Sequence, residues 1–339
     1  MLMVTMSDVA AAAGVSLTSV SHVLNRTRTV SARLRARIIE AAHELGYQDE
    51  RLDDVGAAEL TIGVVVPSPA SPYLGELVEG IFEEGRRYDA ASLLMTSGED
   101  PWREYRAVQT LISRRVDGII MAPTRDWGLR TGVVLRNSHL PCVLVDRLAD
   151  PRLDGVGCEG AQAAQAIVSH VIRHGHSRVA MIRGLEGLPT TEARERGFRA
   201  ALLKHRLLYD AALVVDGQST IRGGQLATER LMAMPEPPTA IFAANNNMTV
   251  GMLHALRKLE VEVPRDLAVI AFDDLEWSDI VRPGITSIAQ PFHAMGGRAF
   301  HLLAERLAEP ERPVRQEMLP ASLEYRESCG CPRLASLGG

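Results

Sequence analysis

Residues 5–25, TMSDVAAAAGVSLTSVSHVLN, constrain the fold of this chain more than any other segment. Ser7 and Asp8 are residue types that begin a helix. Gly14 is the type that ends a helix in the left-handed conformation, and Ser16 can cap the helix that follows. The pattern therefore predicts two short helices joined by a tight turn. Their buried positions are expected to be Val9, Ala12 and Ala13 in the first helix and Val20, Val23 and Leu24 in the second.

The second predicted helix, from about residue 17 to residue 24, presents small and polar side chains on its outer face. This face carries Leu17, Thr18, Ser21 and His22, opposite the apolar stripe. In a helix-turn-helix motif such a face enters the major groove of DNA and contacts base edges. An ordinary helical hairpin is the alternative, but the helix lengths, the Ala-Gly turn and the small polar face favour a DNA-reading motif.

Positive charge is concentrated beside this motif, although the whole chain carries a formal net charge of −5. Residues 1–48 contain five arginines against Asp8, Glu40 and Glu44, which gives a local net charge of +2. We expect these arginines to contact backbone phosphates and to set the register on DNA. A solvated helix face is the alternative. The five residues are Arg26, Arg28, Arg33, Arg35 and Arg37.

A third helix completes the small N-terminal core, and a polar linker follows it. Ser31 is placed to begin this helix and Gly46 to end it, with apolar residues at helical spacing between them. The linker spans residues 49–60 and begins DERLDDVGAAE, which carries a net charge of −4. This acidity argues against close contact between the linker and phosphates.

From residue 61 onward, short apolar strands alternate with amphipathic helices. Such alternation predicts parallel sheets with helices on both faces, and two successive series predict two α/β lobes. Ligands bind at the carboxyl ends of such strands, so a cleft between the lobes is the default small-molecule site. The predicted strands are residues 61–67, 91–97, 118–123 and 142–146 in the first series and 178–182, 212–216, 239–245 and 267–274 in the second.

Composition and cysteine usage narrow the class of protein. With 46% hydrophobic residues among 339, the chain is expected to be a soluble globular protein. The N-terminus lacks the pattern of a secretory signal and no run of about 18 apolar residues occurs, so we expect a cytoplasmic protein without membrane contact. The four cysteines show no zinc-binding spacing, so we expect reduced thiols and neither a metal nor a cofactor.

Residues 155–160 resemble a dinucleotide-binding motif. Gly155, Gly157 and Gly160 match the pattern GxGxxG before a predicted helix. That motif requires a strand directly before its glycines and an acidic residue at the end of the next strand. Here PRLD precedes the glycines, and the next predicted strand is followed by Arg183 and Gly184. Since no other catalytic motif appears, we expect no enzymatic activity.

The chain resembles the LacI/GalR family of bacterial transcription regulators over nearly its full length. The segments that carry the resemblance, in chain order, are DVAAAAGVSLTSVSHVLN, ELGYQ, VDGII, LVDR, RHGHSRVAMI, TEARERGF, AIFAANN, VIAFDD and GITSIAQP. The resemblance implies an all-α helix-turn-helix domain over residues 1–48, a linker over 49–60 and an α/β effector domain over 61–339. The effector domain is expected to have the two-lobed, periplasmic-binding-protein-like fold with parallel sheets. Its lobes are then expected at residues 61–160 plus 290–325 and at residues 161–289.

The resemblance also implies how such a protein acts. A homodimer or tetramer reads the half-sites of a near-palindromic DNA operator. A small effector, most often a sugar or a nucleoside-like metabolite, closes the cleft and changes the affinity for DNA. A repressor is expected because repression is the commoner outcome in the family, with an effector-dependent activator or a corepressor-type regulator as the alternative. A sugar-binding carrier of the same two-lobed fold is a remote alternative, since it would need a signal peptide and no helix pair.

By position, the resemblance places base reading on the outer face of the second helix and backbone contacts around it. His22 replaces the arginine that is usual in the family, which predicts an altered base preference. Gly56 stands where DNA-kinking members insert a leucine into the minor groove, so we expect no wedge at that position. The expected DNA contacts are Ser16, Leu17, Thr18, Ser21, His22, Asn25, Arg26, Ser31 and Arg33.

The same comparison of positions assigns the effector site to residues near the ends of predicted strands. Carboxylates, amides and arginines bind sugar hydroxyls, and an aromatic face covers the apolar side of a sugar ring. Glu159 and Asn246 replace aspartates that are common in the family. The expected effector contacts are Ser71, Tyr73, Asp146, Arg147, Glu159, Arg194, Asn246, Asp273 and Trp277.

Overall fold

The structure is a computed structural model that describes residues 4–25, 32–47, 60–68, 72–274 and 276–330. Within these ranges, no helix is both long enough and apolar enough to cross a membrane. Several sequence predictions fall on residues outside these ranges. They concern Arg26, Arg28, Ser31, Ser71 and nearly all of the linker, including Gly56.

Three helices form the N-terminal domain: α1 (Met6–Ala13), α2 (Leu17–Asn25) and α3 (Ala32–Glu44). Their shared core confirms the buried stripe predicted for the second helix. In the first helix Ala10 is buried and Ala12 is exposed, so the prediction for Ala12 was wrong. A run of four alanines contains no hydrophobic periodicity from which the buried ones can be chosen. The core consists of Val9, Ala10, Ala13, Val20, Val23, Leu24, Ile38, Ala41 and Ala42.

The turn between α1 and α2 has the predicted chemistry, whereas the start of α1 differs. Gly14 adopts the left-handed conformation (φ 62°, ψ 41°), and the Ser16 hydroxyl accepts a hydrogen bond from the Ser19 backbone N–H at 3.1 Å. The helix begins earlier than Ser7, because Thr5 is its cap and its backbone N–H donates to the Asp8 carboxylate at 2.8 Å. This reciprocal arrangement is a capping box, in which Asp8 is the third helical residue rather than the cap.

The first lobe of the large domain is built on a six-stranded sheet in the order β11-β5-β4-β3-β1-β2. β1 begins at Leu60, the last residue of the predicted linker. The strands are β1 (Leu60–Val66), β2 (Ala90–Thr96), β3 (Gly118–Met121), β4 (Cys142–Val145), β5 (Asp154–Cys158) and β11 (Gln316–Leu319). The helices of this lobe are α4 (Pro72–Arg87), α5 (Pro101–Ser113), α6 (Thr131–Ser138) and α11 (Phe292–Ala308).

The second lobe has a six-stranded sheet in the order β12-β10-β9-β8-β6-β7. The neighbouring strands β7, β6, β8, β9 and β10 pair in parallel, in that spatial order. At the edge of the sheet, β12 pairs antiparallel with β10. The prediction of parallel sheets therefore fails at this edge. The strands are β6 (Val179–Arg183), β7 (Val214–Asp216), β8 (Ala240–Ala243), β9 (Ala268–Phe272), β10 (Thr286–Ala289) and β12 (Ser322–Glu324). The helices are α7 (Gly160–Arg173), α8 (Pro189–Lys204), α9 (Ile221–Met232) and α10 (Asn246–Lys258).

Four strands, β5 and β10 to β12, are absent from the sequence prediction. β5 contains Gly155 and Gly157 of the GxGxxG match, so these glycines lie inside a strand and not in a loop. A Cβ atom at Gly155 would lie 2.5 Å from Leu148 Cδ2, so a larger residue there would require the Leu148 side chain to move. Glycine is a weak strand former, and its use for close packing hid this strand from pattern recognition.

The chain leaves the first lobe near residue 320. α11 packs on β3, β4 and β5, and β11 pairs with β5, as expected for a segment of the first lobe. β12 then joins the second sheet, with Ser287 opposite Glu324, so the predicted first-lobe segment 290–325 extends too far. β11 and β12 are separated by two residues, which is too little sequence to show a boundary between lobes.

A buried ion network fastens the end of α11 to β5. Asp154 accepts hydrogen bonds from Arg306 Nε at 2.9 Å, Arg312 Nη2 at 2.8 Å and the Arg315 backbone N–H at 2.8 Å. The side chains of Asp154 and Arg312 are only 1% and 4% exposed. Removal of the carboxylate would leave the buried Arg312 guanidinium without its hydrogen-bonded charge partner.

We expect Asp154→Ala to lower the free energy of unfolding by about 3–5 kcal/mol, because it removes the carboxylate hydrogen-bonded to the buried Arg312 and leaves only Glu305, at 3.9 Å, as its charge partner. The control is Glu262→Ala, which breaks an exposed pair with Arg265 (2.7 Å) and should cost less than about 1 kcal/mol. Urea denaturation followed by circular dichroism measures both losses. Equal losses in the two variants would contradict the structural role given to Asp154.

Candidate functional site

The outer face of α2 presents the side chains predicted to read DNA. Ser16, Leu17, Thr18 and Asn25 are exposed, with Leu17 at 51%, whereas Ser21 and His22 are half-buried. An exposed leucine at a helix start, next to polar residues, is available for apolar contact with bases. These DNA contacts remain a prediction that the arrangement supports.

One arginine of the predicted phosphate cluster has a role inside the domain. The Arg37 guanidinium donates a hydrogen bond to the Ala13 carbonyl at the end of α1. Carbonyls in the last turn of a helix have no partner within the helix, so this bond ties α3 to α1. Arg37 therefore has a structural role, and its contact with phosphate remains a prediction. Arg33 lies in the first turn of α3, and its side chain is outside the described part of the chain.

A cleft of about 590 Å³ lies where the carboxyl ends of strands from both sheets meet. Its volume is in the range that holds a small-molecule ligand. Four strands of each lobe contribute residues just beyond their ends. In the first lobe these are Ser68, Glu99, Arg125 and Asp146, after β1 to β4. In the second lobe they are Leu185, Gln218, Asn245 and Asp273, after β6 to β9.

Arg194 and Asp273 form the charged centre of the second lobe's side of the cleft. Arg194 Nη2 lies 3.7 Å from Asp273 Oδ1, and Nη1 donates to the Ala244 carbonyl at 2.7 Å. The guanidinium carbon lies 3.8 Å from the ring centroid of Phe272, a cation–π contact. Asp273 also accepts a hydrogen bond from Gln290 Nε2 at 2.6 Å. Contacts within the protein therefore hold both charged groups in position.

Arg147, Glu99 and Asp146 form the corresponding group in the first lobe. Arg147 makes two parallel hydrogen bonds to Glu99, at 2.8 and 2.6 Å, and a third to the Pro123 carbonyl. Its Nε is buried without a hydrogen-bond acceptor and lies 3.6 Å from Asp146 Oδ2. Burial raises the pKa of Asp146. Since its φ is +64°, Asp146 also adopts a backbone conformation that asparagine tolerates well.

Tyr73 contributes an aromatic ring and a phenol to the cleft. Its ring lies 4.8 Å from that of Phe292, at an interplanar angle of 37°. Burial, together with the nearby carboxylates Asp146 and Asp273, raises the pKa of the phenol. The phenol therefore stays neutral at physiological pH and can donate a hydrogen bond.

Five of the nine predicted effector residues line the cleft, namely Tyr73, Asp146, Arg147, Arg194 and Asp273. Glu159, Asn246 and Trp277 are not among the residues that line it. The Glu159 backbone N–H donates to Leu319, which fixes the entry to α7. Trp277 is half-buried in the turn beyond β9.

The asparagine run after β8 shows why Asn246 does not line the cleft. Its backbone N–H donates to Asp273 Oδ2 at 3.2 Å, and its side chain is buried. Asn245 and Asn247 line the cleft instead. Asn245 caps α10 by accepting from the Met248 backbone N–H, so the helix begins with Asn246 already inside its first turn.

Several residues that line the cleft were not predicted, although their positions in the sequence follow a simple rule. Each follows the end of a parallel strand by a few residues, which is the position where such folds bind ligands. Applied to every predicted strand, that rule finds most of them. They are Ser68, Glu99, Arg125, Gln218 and Asn245.

The charges that line the cleft balance. Glu99, Asp146 and Asp273 supply three carboxylates, and Arg125, Arg147 and Arg194 supply three guanidinium groups. Two of the arginines already have carboxylate neighbours, as described above. The site therefore carries many hydrogen-bonding groups without a net charge to attract an ionic ligand.

A helix-turn-helix domain joined to a two-lobed domain with a polar cleft defines a ligand-responsive regulator of transcription. The description "Bacterial regulatory proteins, lacI family" matches residues 5–50, and "Periplasmic binding protein-like domain" matches residues 168–329. The ribose operon repressor of Escherichia coli (strain K12) is 32% identical over 333 residues, which cover 95% of this chain and 99% of that protein. The chain therefore belongs to the LacI family and is a sequence-specific DNA-binding transcriptional regulator.

Two solved structures share the fold over almost the whole chain. The transcriptional regulator CelR in complex with cellobiose is 29% identical, with a TM-score of 0.73, and covers 96% of this chain and 99% of its own. The lac repressor dimer bound to operator and the anti-inducer ONPF is 25% identical, with a TM-score of 0.73, and covers 97% and 99%. Each similarity thus spans both the helix-turn-helix domain and the two-lobed domain of this chain.

We expect Asp146→Asn to stabilise the ligand-free protein at pH 8 and to lose this advantage on acidification. Burial makes ionisation of Asp146 costly, so its pKa is raised in the folded state and the wild type loses stability as pH rises above the usual carboxyl range. Asparagine avoids this cost and keeps the left-handed backbone.

Urea denaturation at several pH values between 4 and 8 measures the difference between variant and wild type. Asp126→Asn is the matched control, because Asp126 also has a positive φ (+61°) but is exposed. A constant difference for Asp146→Asn across this pH range would contradict the prediction.

Proposed function

We propose that this regulator is a repressor whose affinity for its operator is controlled by a neutral sugar bound in the cleft. The observation that carries the proposal is the charge-balanced cleft, in which carboxylates and guanidinium groups from both lobes face one space. Paired charges leave lone pairs and N–H groups free for hydroxyl groups while offering no excess charge to a phosphate or carboxylate.

The chemistry of the lining residues suits a polyol. Asp273 and Asp146 can accept from neighbouring hydroxyls, Arg194 can donate to a ring or hydroxyl oxygen, and Tyr73 offers an aromatic surface with a neutral phenol. The names of the relatives agree with this ligand class, since one is a ribose operon repressor and another was solved with cellobiose. A sugar fits both the size and the neutrality of the site.

Because the ligand would contact both lobes, its binding could change the affinity of the protein for DNA. A ligand that touches Arg147 in one lobe and Arg194 in the other binds the closed arrangement better than the open one, so it shifts the equilibrium between them. The lac repressor was solved as a dimer on operator, and we propose a homodimer here as well. In such a dimer the change between lobes alters the placement of two DNA-binding domains. Coupling of this kind is typically worth about 1–3 kcal/mol.

A thermal-shift and calorimetric screen of the full chain against ribose, glucose, galactose, maltose and cellobiose tests the ligand class. A sugar at 100 times its Kd is expected to stabilise the protein by roughly 2.7 kcal/mol through mass action. Asp273→Asn should weaken that sugar at least tenfold, since it removes a charged acceptor at the centre of the cleft. Asp266→Asn, at an exposed site paired with Arg265, is the control and should leave affinity unchanged.

Two results would contradict the proposal. One is the absence of stabilisation by any of these sugars, and the other is unchanged affinity in Asp273→Asn. Tighter binding to operator in the presence of the sugar would assign the corepressor-type mechanism to the same site.

We expect His22→Arg to shift base preference towards guanine. Arginine can form two hydrogen bonds to guanine O6 and N7, worth about 1–3 kcal/mol of discrimination, whereas histidine makes fewer. Selection from a randomised operator library, followed by sequencing, measures the preference. His43→Arg, on the exposed side of α3, adds the same charge away from the reading face and is the control. Identical selected sequences for His22→Arg and wild type would show that position 22 does not read bases.

A further inference from the structure

A second cavity of about 470 Å³ adjoins the ligand cleft, and the proposed function does not account for it. The first lobe supplies most of its wall from the loop after β3 and the loop after β4. The second lobe closes it with residues from the start of α8. The residues that matter below are Trp127, Gly128, Asp150, Arg152, Gly187 and Pro189.

The two cavities lie on opposite sides of the same two chain segments. Along residues 124–126, Arg125 lines the cleft and its two neighbours line the second cavity. Along residues 187–189, Leu188 lines the cleft and its two neighbours line the second cavity. Arg125 and Leu188 thus form the partition between the cavities.

Two segments in close contact form the partition. Gly187 has φ +83°, and a Cβ atom placed on it would lie 3.6 Å from Arg125 Cβ, so the two segments approach each other closely. Within the described parts of the chain, the exposed Arg125 guanidinium has neither a hydrogen-bond acceptor nor an ion-pair partner. It is therefore available to a ligand at the boundary between the two cavities.

The second cavity repeats the chemistry of the cleft. Pro189 and the 5% of Trp127 that is exposed supply an apolar surface, and the buried Asp150 holds Arg152 through two hydrogen bonds of 2.8 and 2.7 Å. Arg136 lies 3.3 Å from the same carboxylate. With Asp126, the cavity has two carboxylates and two guanidinium groups, so its lining is also neutral. An apolar surface with a rim of fixed polar groups suits the two sides of a sugar ring.

We infer that the second cavity is a subsite for a second sugar unit, so that the effector is a disaccharide or a longer neutral oligosaccharide. The first unit occupies the cleft, and the linkage passes Arg125. The inference rests on the proposed function, because it assumes that the cleft binds a sugar.

Gly128→Phe places a bulky side chain at the second cavity, at a residue that does not line the cleft. A Cβ atom on Gly128 would meet no atom within 4 Å, and Gly128 lines the second cavity but not the cleft. Gly128→Ala is the matched control, because it makes the same backbone change with a single methyl group. Arg152→Ala tests the rim independently, through a side chain that is largely exposed.

Calorimetric titration of the full-length protein with glucose, galactose, cellobiose, lactose and maltose provides the test. A disaccharide is expected to bind at least about tenfold more tightly than its own monosaccharide units. Gly128→Phe should remove that advantage without changing the Kd of the monosaccharide, and Gly128→Ala should keep it. Arg152→Ala should weaken only the disaccharide, by roughly threefold.

Equal affinity for monosaccharides and disaccharides, unchanged by Gly128→Phe and Arg152→Ala, would overturn the inference while leaving a sugar-binding cleft in place. Failure of every sugar to bind would overturn the proposed function and the inference with it. Monosaccharide binding therefore separates the two failures. Melting temperatures of the variants show whether each is folded.

Discussion

The cleft depends on one constraint: charged groups removed from water must be paired or hydrogen-bonded. Both sheets direct the carboxyl ends of their strands to one space, and the loops there carry Glu99, Asp146 and Asp273 with arginines beside them. Arg147 is satisfied by Glu99, and Arg194 lies between Asp273 and the Phe272 ring. Because protein groups make these pairs, the cleft is organised and its charges balance, and this favours a neutral ligand with many hydroxyls.

The path of the chain between the lobes determines how a ligand bound in the cleft could change the arrangement of the lobes. α11 and β11 belong to the first lobe, where Asp154 fastens the segment after α11 to β5, and β12 returns to the second sheet. The lobes are thus separately packed bodies with separate cores. A ligand that holds Arg147 and Arg194 together adds contacts that neither core supplies. Its binding energy can therefore bias the arrangement of the lobes, which is what control of a DNA-binding domain requires.

The sequence predicted helices and strands correctly where hydrophobic residues are regularly spaced. It failed where the conformation or packing of a single residue sets the structure. The helix pair, Gly14, Ser16 and eight of the strands follow from hydrophobic spacing and turn chemistry. β5 was missed because its glycines serve close packing, and the start of α1 was misplaced because Thr5 forms the capping box. Asn246 was chosen over its neighbours because a run of three asparagines does not reveal which one caps a helix. The balance of charge in the cleft required the tertiary structure, since its six charged residues are scattered from position 99 to 273.

The central claim is that occupation of the cleft by a sugar changes affinity for DNA. Its most direct test is fluorescence anisotropy of the full-length protein on an operator selected from a randomised library, with and without a saturating sugar identified by calorimetry. The account predicts that the sugar changes the operator Kd by about 5- to 150-fold and that Asp273→Asn abolishes the change. An operator Kd that stays constant while calorimetry shows the cleft to be occupied would contradict it.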